Sequence, residues 1–386
     1  MLTHIQQRNV VAIIEAGLNV LAAPVDVHAL YIPVLVFCQM PRQAKTRRRY
    51  LYRVIRVGRA GQPPVSNSHI MDGYPNPGTT ATLPGVNSVS IIICTLDRPK
   101  MAQRCIDSLA KADLTGVVEI ILVDQGPKSN NGPFCKARQS SGLPVVHLLR
   151  DRPGVQGARN AAVMQAKGDL LLFTDDDCLV DANWVQAIRR AFSDDAVAGV
   201  VGRVLPHGSN AGKFPVGILD RATEVRFRGP HYPFTIGVGN NMAFRRASLR
   251  LSGGFDATLG AGSPARACGE SEMFYRLLKT AGHIVYTPHG LVFHDAWRTL
   301  EQSLGATYGY TYGNGYCLTR AASRGDLRAL GYLCGRLGGQ IVLAYIHFLI
   351  VGDRPKRQRA AQQWLGIWHG FAAGLKAPDP DIPTIP

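Results

Sequence analysis

The sharpest chemistry in this sequence lies in FTDDDC, residues 173–178, where the apolar run LLLF leads straight into Asp175, Asp176 and Asp177. Adjacent carboxylates repel one another unless a cation sits among them. A divalent metal carrying a phosphorylated ligand meets that need, because Mg²⁺ and Mn²⁺ take carboxylate and phosphate oxygens together. Acidic triplets are common on surfaces, and Asp181 ahead of WVQAIRRAF offers the plainer alternative of a turn capping the next helix. A strand buried in the middle of a sheet, however, has no such reason to end in three acids.

Positioning these groups requires a sheet, and the flanking text supplies one. VSIIICT from Val89 is a continuous β-branched run of the kind buried on both faces of a parallel sheet. MAQRCIDSLAKA follows with helical spacing, then VEIILVDQG, VVHLLRD, the helix-like GARNAAVMQAKG, and DLLLFTDDDC. Strands alternating with helices predict right-handed βαβ units and a doubly wound α/β fold. Such sheets bind ligands at the carboxyl ends of their strands. Those ends carry Thr95, Leu96, Asp97 and Arg98, then Asp124 and Gln125, then Arg152, then Asp175, Asp176 and Asp177, all of which should line one crevice.

The remaining text bounds the class. At 386 residues and 46% hydrophobic the chain has ample material for a packed core, and general disorder is excluded. Its apolar stretches, Ala29 to Cys38 and Gln340 to Val351, fall short of the roughly 20 residues a spanning helix needs. Eight cysteines without a C-x-x-C pair argue against a zinc ribbon or a disulfide framework and suit a reducing compartment. The opening residues carry Glu15 inside their apolar run and no clear cleavage site, so they do not read as a secretory signal. The net charge of +16 divides as +6 over 1–86, +6 over 87–300 and +4 over 301–386, with basic runs at 42–59 and 354–359. Residues 1–60 form a segment of no recognisable fold, and 61–87, rich in Gly, Pro, Ser, Thr and Asn, read as a linker. A domain over 88–300 and a helical extension over 301–386 complete the expected organisation.

Seven ordered blocks are more telling than any one of them: SVSIIICTLDRPKMAQRCIDSL, EIILVDQG, GARNAA, GDLLLFTDDDC, GNNMAFRRASLRLSGGFD, GAGSPARACGESEMFYRLLKTAG and VFHDAW. Together they resemble the inverting nucleotide-sugar glycosyltransferases of family 2, bacterial members above all, over roughly residues 88–300 and more weakly to about 330. The resemblance implies a GT-A fold: a Rossmann-like half with a central, mostly parallel sheet holds the nucleotide, and the other half shapes the acceptor site. It implies nucleotide contacts from Thr95 and Asp97, a carboxylate on the base from Asp124, and Arg159 and Asn160 beneath the diphosphate. Asp175 falls on the ribose and metal side, with Asp176 beside it in the donor site. Asp177 falls at the direct metal ligand and His294 at a third ligand position, although a lone histidine after a strand is also an ordinary structural residue. The implied cofactor is Mn²⁺ or Mg²⁺, and the implied donor a nucleoside-diphosphate sugar.

An inverting displacement needs a carboxylate that takes the acceptor proton on the face opposite the leaving group. The family supplies it from a Glu-Asp pair at a helix start. Here Gly269 stands at the usual Glu and Glu270 at the usual Asp, a departure that lengthens the reach by one methylene. Glu270 is the expected base and Glu272 the fallback; the plain alternative is that both favour a helix N-terminus electrostatically. Asn240 and Asn241 fall on the acceptor side or in a turn, and Trp184 lines the acceptor groove or the core.

Competing classes are weaker. A dinucleotide oxidoreductase needs a G-x-G-x-x-G turn after its first strand, and CTLDRPK is not one. A nucleotidyltransferase would want a glycine-rich basic loop there, and a nucleic-acid binder leaves the strand-end acids unexplained; no nucleic-acid partner is expected. A catalytically degenerate member of the family is the further alternative raised by Gly269. The helical C-terminal residues with RPKRQR suit packing on the catalytic domain or contact with an anionic membrane. The expected setting is cytoplasmic, peripheral at the inner face of the plasma membrane, in cell-envelope polysaccharide synthesis on a glycan, lipid-linked or small-molecule acceptor.

Overall fold

A computed structural model describes residues 88–126, 131–337, 339 and 354–386, all within the second of the two units into which the chain divides, Thr82–Pro386. The 1–60 segment, the 61–87 linker and the apolar stretch Gln340 to Val351 lie outside the described residues.

The expected α/β core is present. Strands β1 (Val89–Leu96), β2 (Val117–Gln125), β3 (Val145–Arg150) and β4 (Leu170–Asp175) pair in parallel in the order β3-β2-β1-β4. Helices α1 (Pro99–Leu109), α2 (Gly132–Ser140) and α3 (Val155–Gln165) are the crossovers between them. Side chains alternate across the pleat. Ile91, Ile93, Ile120, Leu122, Leu170 and Leu172 enter one core with Ile106 and Leu109 of α1, while Ile92, Ile121, Val123, Leu171 and Phe173 enter the other with Ala158 and Ala162 of α3. The isoleucines of β1 are at most 1% exposed, and each such burial contributes about 1.5–3 kcal/mol. Burial on both faces explains why this stretch carries no polar alternation.

Beyond β4 the sheet becomes mixed. The short β5 (Cys178–Val180) is followed by α4 (Trp184–Ala191), β6 (Val197–Pro206), β7 (Phe214–Pro215) and β8 (Val225–Phe227). Strand β9 (Asn241–Arg245) lies antiparallel between β4 and β6, and β10 (His283–His294) runs parallel to β6 while pairing antiparallel with β5 and β8. Helices α5 (Arg246–Ser252) and α6 (Gly269–Thr280) lie between β9 and β10, with Met273, Phe274 and Leu277 of α6 buried in the second core. Strand β11 (Trp297–Arg298) pairs with β7.

The C-terminal region is helical, as expected: α7 (Leu300–Ser323), the short α8 (Leu327–Gly331) and α9 (Arg354–Gly374). A capping box between Thr299 and Gln302 starts α7. Helices α7 and α9 run parallel and very close, because α9 places Gly366, Gly370 and Gly374 under Thr311, Tyr312 and Tyr316. A Cβ on Gly370 would stand 2.0 Å from the Tyr312 carbonyl oxygen. Gly313 of α7 in turn rests on Ala265 and Ala267 just ahead of α6, so this helical layer buttresses the segment that starts α6.

A buried polar tie between that layer and the sheet domain is Arg320 with Asp256, whose side chains are 4% and 0% exposed. Arg320 also donates to Thr258 Oγ1 at 2.7 Å, and Asp256 Oδ1 accepts from the Asp381 backbone N–H at 3.1 Å. Arg320→Met would strand a buried carboxylate, and stability should fall by about 3–5 kcal/mol in urea unfolding.

Candidate active site

Strand register builds the crevice. Thr95 pairs with Asp124 across β1 and β2, and Cys94 with Asp175 across β1 and β4, so the polar ends of three strands share one edge. Thr174 pairs with Asn241 on the far side of β4, which brings the two asparagines against the aspartate triplet.

The three aspartates have separate partners. Asp175 is about one-third exposed and accepts from Arg159 at 3.2 Å; Arg159 also donates to the Gly239 carbonyl at 2.9 Å and lies over the Phe255 ring. Asp176 points inward, accepting from Thr95 Oγ1 at 2.7 Å and pairing with Arg98. Burial pushes the Asp176 carboxyl up to about 7, against the opposing pull of Arg98. Asp177 takes Arg98 at 3.0 Å on Oδ2 and His294 Nε2 at 3.2 Å on Oδ1. Burial opposes its charge, but His294 and Arg98 outweigh that and hold its pKa low; Asp177 likewise holds the buried His294 high.

The environment of His294 fits a metal. Its Nδ1 lies 2.7 Å from the Val216 carbonyl, which can only accept, so Nδ1 carries a proton and Nε2 faces Asp177 Oδ1 at 3.2 Å; the raised pKa lets a second proton bridge that pair, and a neutral ring would turn its Nε2 lone pair to the same point. Two acceptors facing each other at that distance need a shared proton or a cation, and an imidazole beside a carboxylate suits a divalent ion. Cys178 is the third group of this cluster. Burial raises its thiol well above the usual range. Asp175 stands outside the cluster, on Arg159.

Across the cleft, α6 begins at Gly269 and carries Glu270 in its first turn. Among the described residues the Glu270 carboxylate has no hydrogen-bond or ion-pair partner. A Cβ placed on Gly239 would stand 3.6 Å from Glu270 Cδ and 3.2 Å from Arg159 Nη2, so the free carboxylate and the guanidinium that holds Asp175 meet beside Gly239. Glu272 is differently placed: Arg276 takes both its oxygens, at 2.6 and 2.8 Å, and also donates to the Gly254 carbonyl.

Several other expected site residues are occupied by the fold. Asn160 uses both ends of its amide on the backbone of Phe255, at 2.7 Å each. Asn241 is fully bonded, donating to the Arg203 and Gly290 carbonyls and accepting from Trp184 Nε1; Trp184 is therefore a core residue. Asn240 donates to the Gly217 carbonyl, and its Oδ1 is buried without a partner. Asp124 is 1% exposed and accepts on Oδ2 from His147 and Asn131, while Oδ1 has no partner among the described residues. Asp97 is exposed, with φ of 54°.

Sequence reasoning placed Arg98 in the crevice without a task and missed His147 and Tyr310. A histidine inside the apolar VVHLLR was the available signal for His147. Burial and the charges of Glu270, Asp175 and Asp177 raise the hydroxyl of the half-exposed Tyr310.

Comparison with known proteins then shows what this region is similar to. Residues 90–251 match the model of glycosyl transferase family 2. This region is similar to the family 2 glycosyltransferases. The chain is 25% identical over 128 residues to glycosyltransferase GlyG of Streptococcus pneumoniae, covering 33% of this chain and 42% of that protein. It is 27% identical over 126 residues to an N-acetylglucosaminyltransferase of Bradyrhizobium elkanii, covering 32% of this chain and 69% of that one. The match thus spans less than half of GlyG. Among solved structures, the mannosyltransferase PcManGT of Pyrobaculum calidifontis, in complex with GDP-Man and Mn²⁺, superposes with a TM-score of 0.51 at 15% identity over 74% of this chain and 86% of that one. That likeness shows a shared fold.

Proposed function

We propose that this chain transfers a sugar from a nucleoside diphosphate to an acceptor hydroxyl with inversion, using Glu270 as general base. The single observation that carries this is the unpartnered Glu270 carboxylate, which comes beside Gly239 together with the Arg159 guanidinium that holds Asp175. A base must be free to accept a proton, and Glu270 is the acid of the α6 start that is free; Glu272 is spent on Arg276.

The nucleotide side follows from the strand ends. Asp124 Oδ1, buried and unpartnered, would accept from the nucleobase. Asp177 and His294 would hold a divalent ion, with Asp175 toward the ribose. Bound there, the ion would supply Lewis-acid stabilisation of the departing diphosphate. The mixed carboxylate and imidazole set favours Mn²⁺ over Mg²⁺. Arg159 orients Asp175, and Thr95 and Arg98 keep Asp176 turned inward.

The acceptor is a glycan or a lipid-linked saccharide. No described helix is long and apolar enough to cross a membrane. The basic run 354–359 opens α9, where Gln358 and Arg359 are exposed, and it would draw the protein to an anionic leaflet. Purified protein incubated with Mn²⁺ and a panel of nucleotide sugars should show a raised melting temperature and slow hydrolysis for one member. Absence of both across GDP-, UDP-, dTDP- and CMP-sugars would contradict the reading.

A further inference from the structure

We infer that the carboxamide of Gln156 is the polar floor of the subsite for the sugar being transferred; this rests on the transferase reading above. Gln156 lies in the first turn of α3 and is 1% exposed, yet neither Nε2 nor Oε1 has a hydrogen-bond partner. A buried amide left unpaired is costly, so the fold alone favours an apolar side chain there. The surroundings are cut to admit the amide. A Cβ on Gly269 would stand 1.9 Å from Nε2, and one on Gly260, whose φ is +89°, 2.8 Å from it. The departure at 269 thus has a physical reason: the space of that side chain belongs to Gln156.

The amide lies against the start of α6, which has no side-chain cap at Cys268. The first intrahelical bond there runs from Glu272 N–H to the Cys268 carbonyl, so the preceding N–H groups lack intrahelical acceptors. One turn along α3, Arg159 holds Asp175 on the nucleotide side, while Glu270 follows Gly269 directly. A sugar joined to the diphosphate and open to attack under Glu270 must pass between these points. A carboxamide donates and accepts at once, the pairing that neighbouring neutral hydroxyls of a hexose require.

Gln156→Met keeps the volume and removes the polar atoms. Without ligand its melting temperature should rise by a few degrees, because an unpaired buried amide is gone. Calorimetry with Mn²⁺ should show the affinity for GDP or UDP unchanged within about twofold, and that for GDP-mannose or UDP-N-acetylglucosamine, whichever the wild type binds, down about tenfold. Gln156→Ala should lose the same sugar affinity without the rise in melting temperature. Equal loss of diphosphate and sugar affinity with a lower melting temperature would make Gln156 a packing residue and overturn the inference, as would unchanged sugar affinity. A wild type that binds neither diphosphate nor conjugate would instead sink the transferase reading, and this inference with it.

Discussion

Glu270→Gln should lower the rate of sugar transfer by about 10²–10⁴-fold while leaving nucleotide-sugar affinity and melting temperature near those of the wild type. The amide matches the carboxylate in size and cannot take the acceptor proton. Because Glu270 has no hydrogen-bond or ion-pair partner among the described residues, its replacement breaks nothing in the fold. Glu272→Gln supplies the contrast. It loosens a two-pronged, charge-assisted contact with Arg276, which itself ties α6 to the carbonyls of Ser252 and Gly254. That variant should lose stability by about 1–3 kcal/mol and keep most of its turnover. The reverse pattern, with Glu272→Gln inactive and Glu270→Gln active, would move the base by two residues.

Asp177→Asn should abolish metal-dependent donor binding, with an affinity loss of about 10²-fold or more in Mn²⁺ titrations. Asp177 is the carboxylate in contact with His294, and an amide oxygen is a far weaker ligand for a divalent ion. Its other oxygen meets Arg98, which keeps its pairing with Asp176 in the variant. His294→Ala should weaken Mn²⁺ less, because a carboxylate stays in place. Retention of full Mn²⁺ affinity by Asp177→Asn would show that Asp177 does not hold the ion.

The half of this molecule built on β1 to β4 was legible because its code is local. Runs such as VSIIICT and DLLLF have one stable place, inside a parallel sheet, and whatever follows them falls on the ligand edge. Asp175 to Asp177 were therefore placed by position alone. What each acid does was not legible, since Asp176 turns inward only because Thr95 and Arg98, about eighty residues earlier, stand there to receive it. Asn160 and Asn241 carry motif positions, but tertiary contacts consume their amides on Phe255, Arg203 and Gly290. The space for Gly269 is set by Gln156, more than a hundred residues upstream, a pairing that no periodicity reveals. The tight pairing of α7 and α9 is written in the sequence as Gly366, Gly370 and Gly374, one glycine per turn, but only the facing tyrosines give that spacing its meaning.

With Glu270 as the single proposed base, transfer is a single displacement, and a single displacement inverts the anomeric centre. The direct measurement is a proton NMR time course of the first product formed from an α-linked nucleotide sugar, read at the anomeric proton before any mutarotation. The expected product is the β-anomer. An α-anomer would require a second displacement or attack from the same face, and Glu270 would then not be the base.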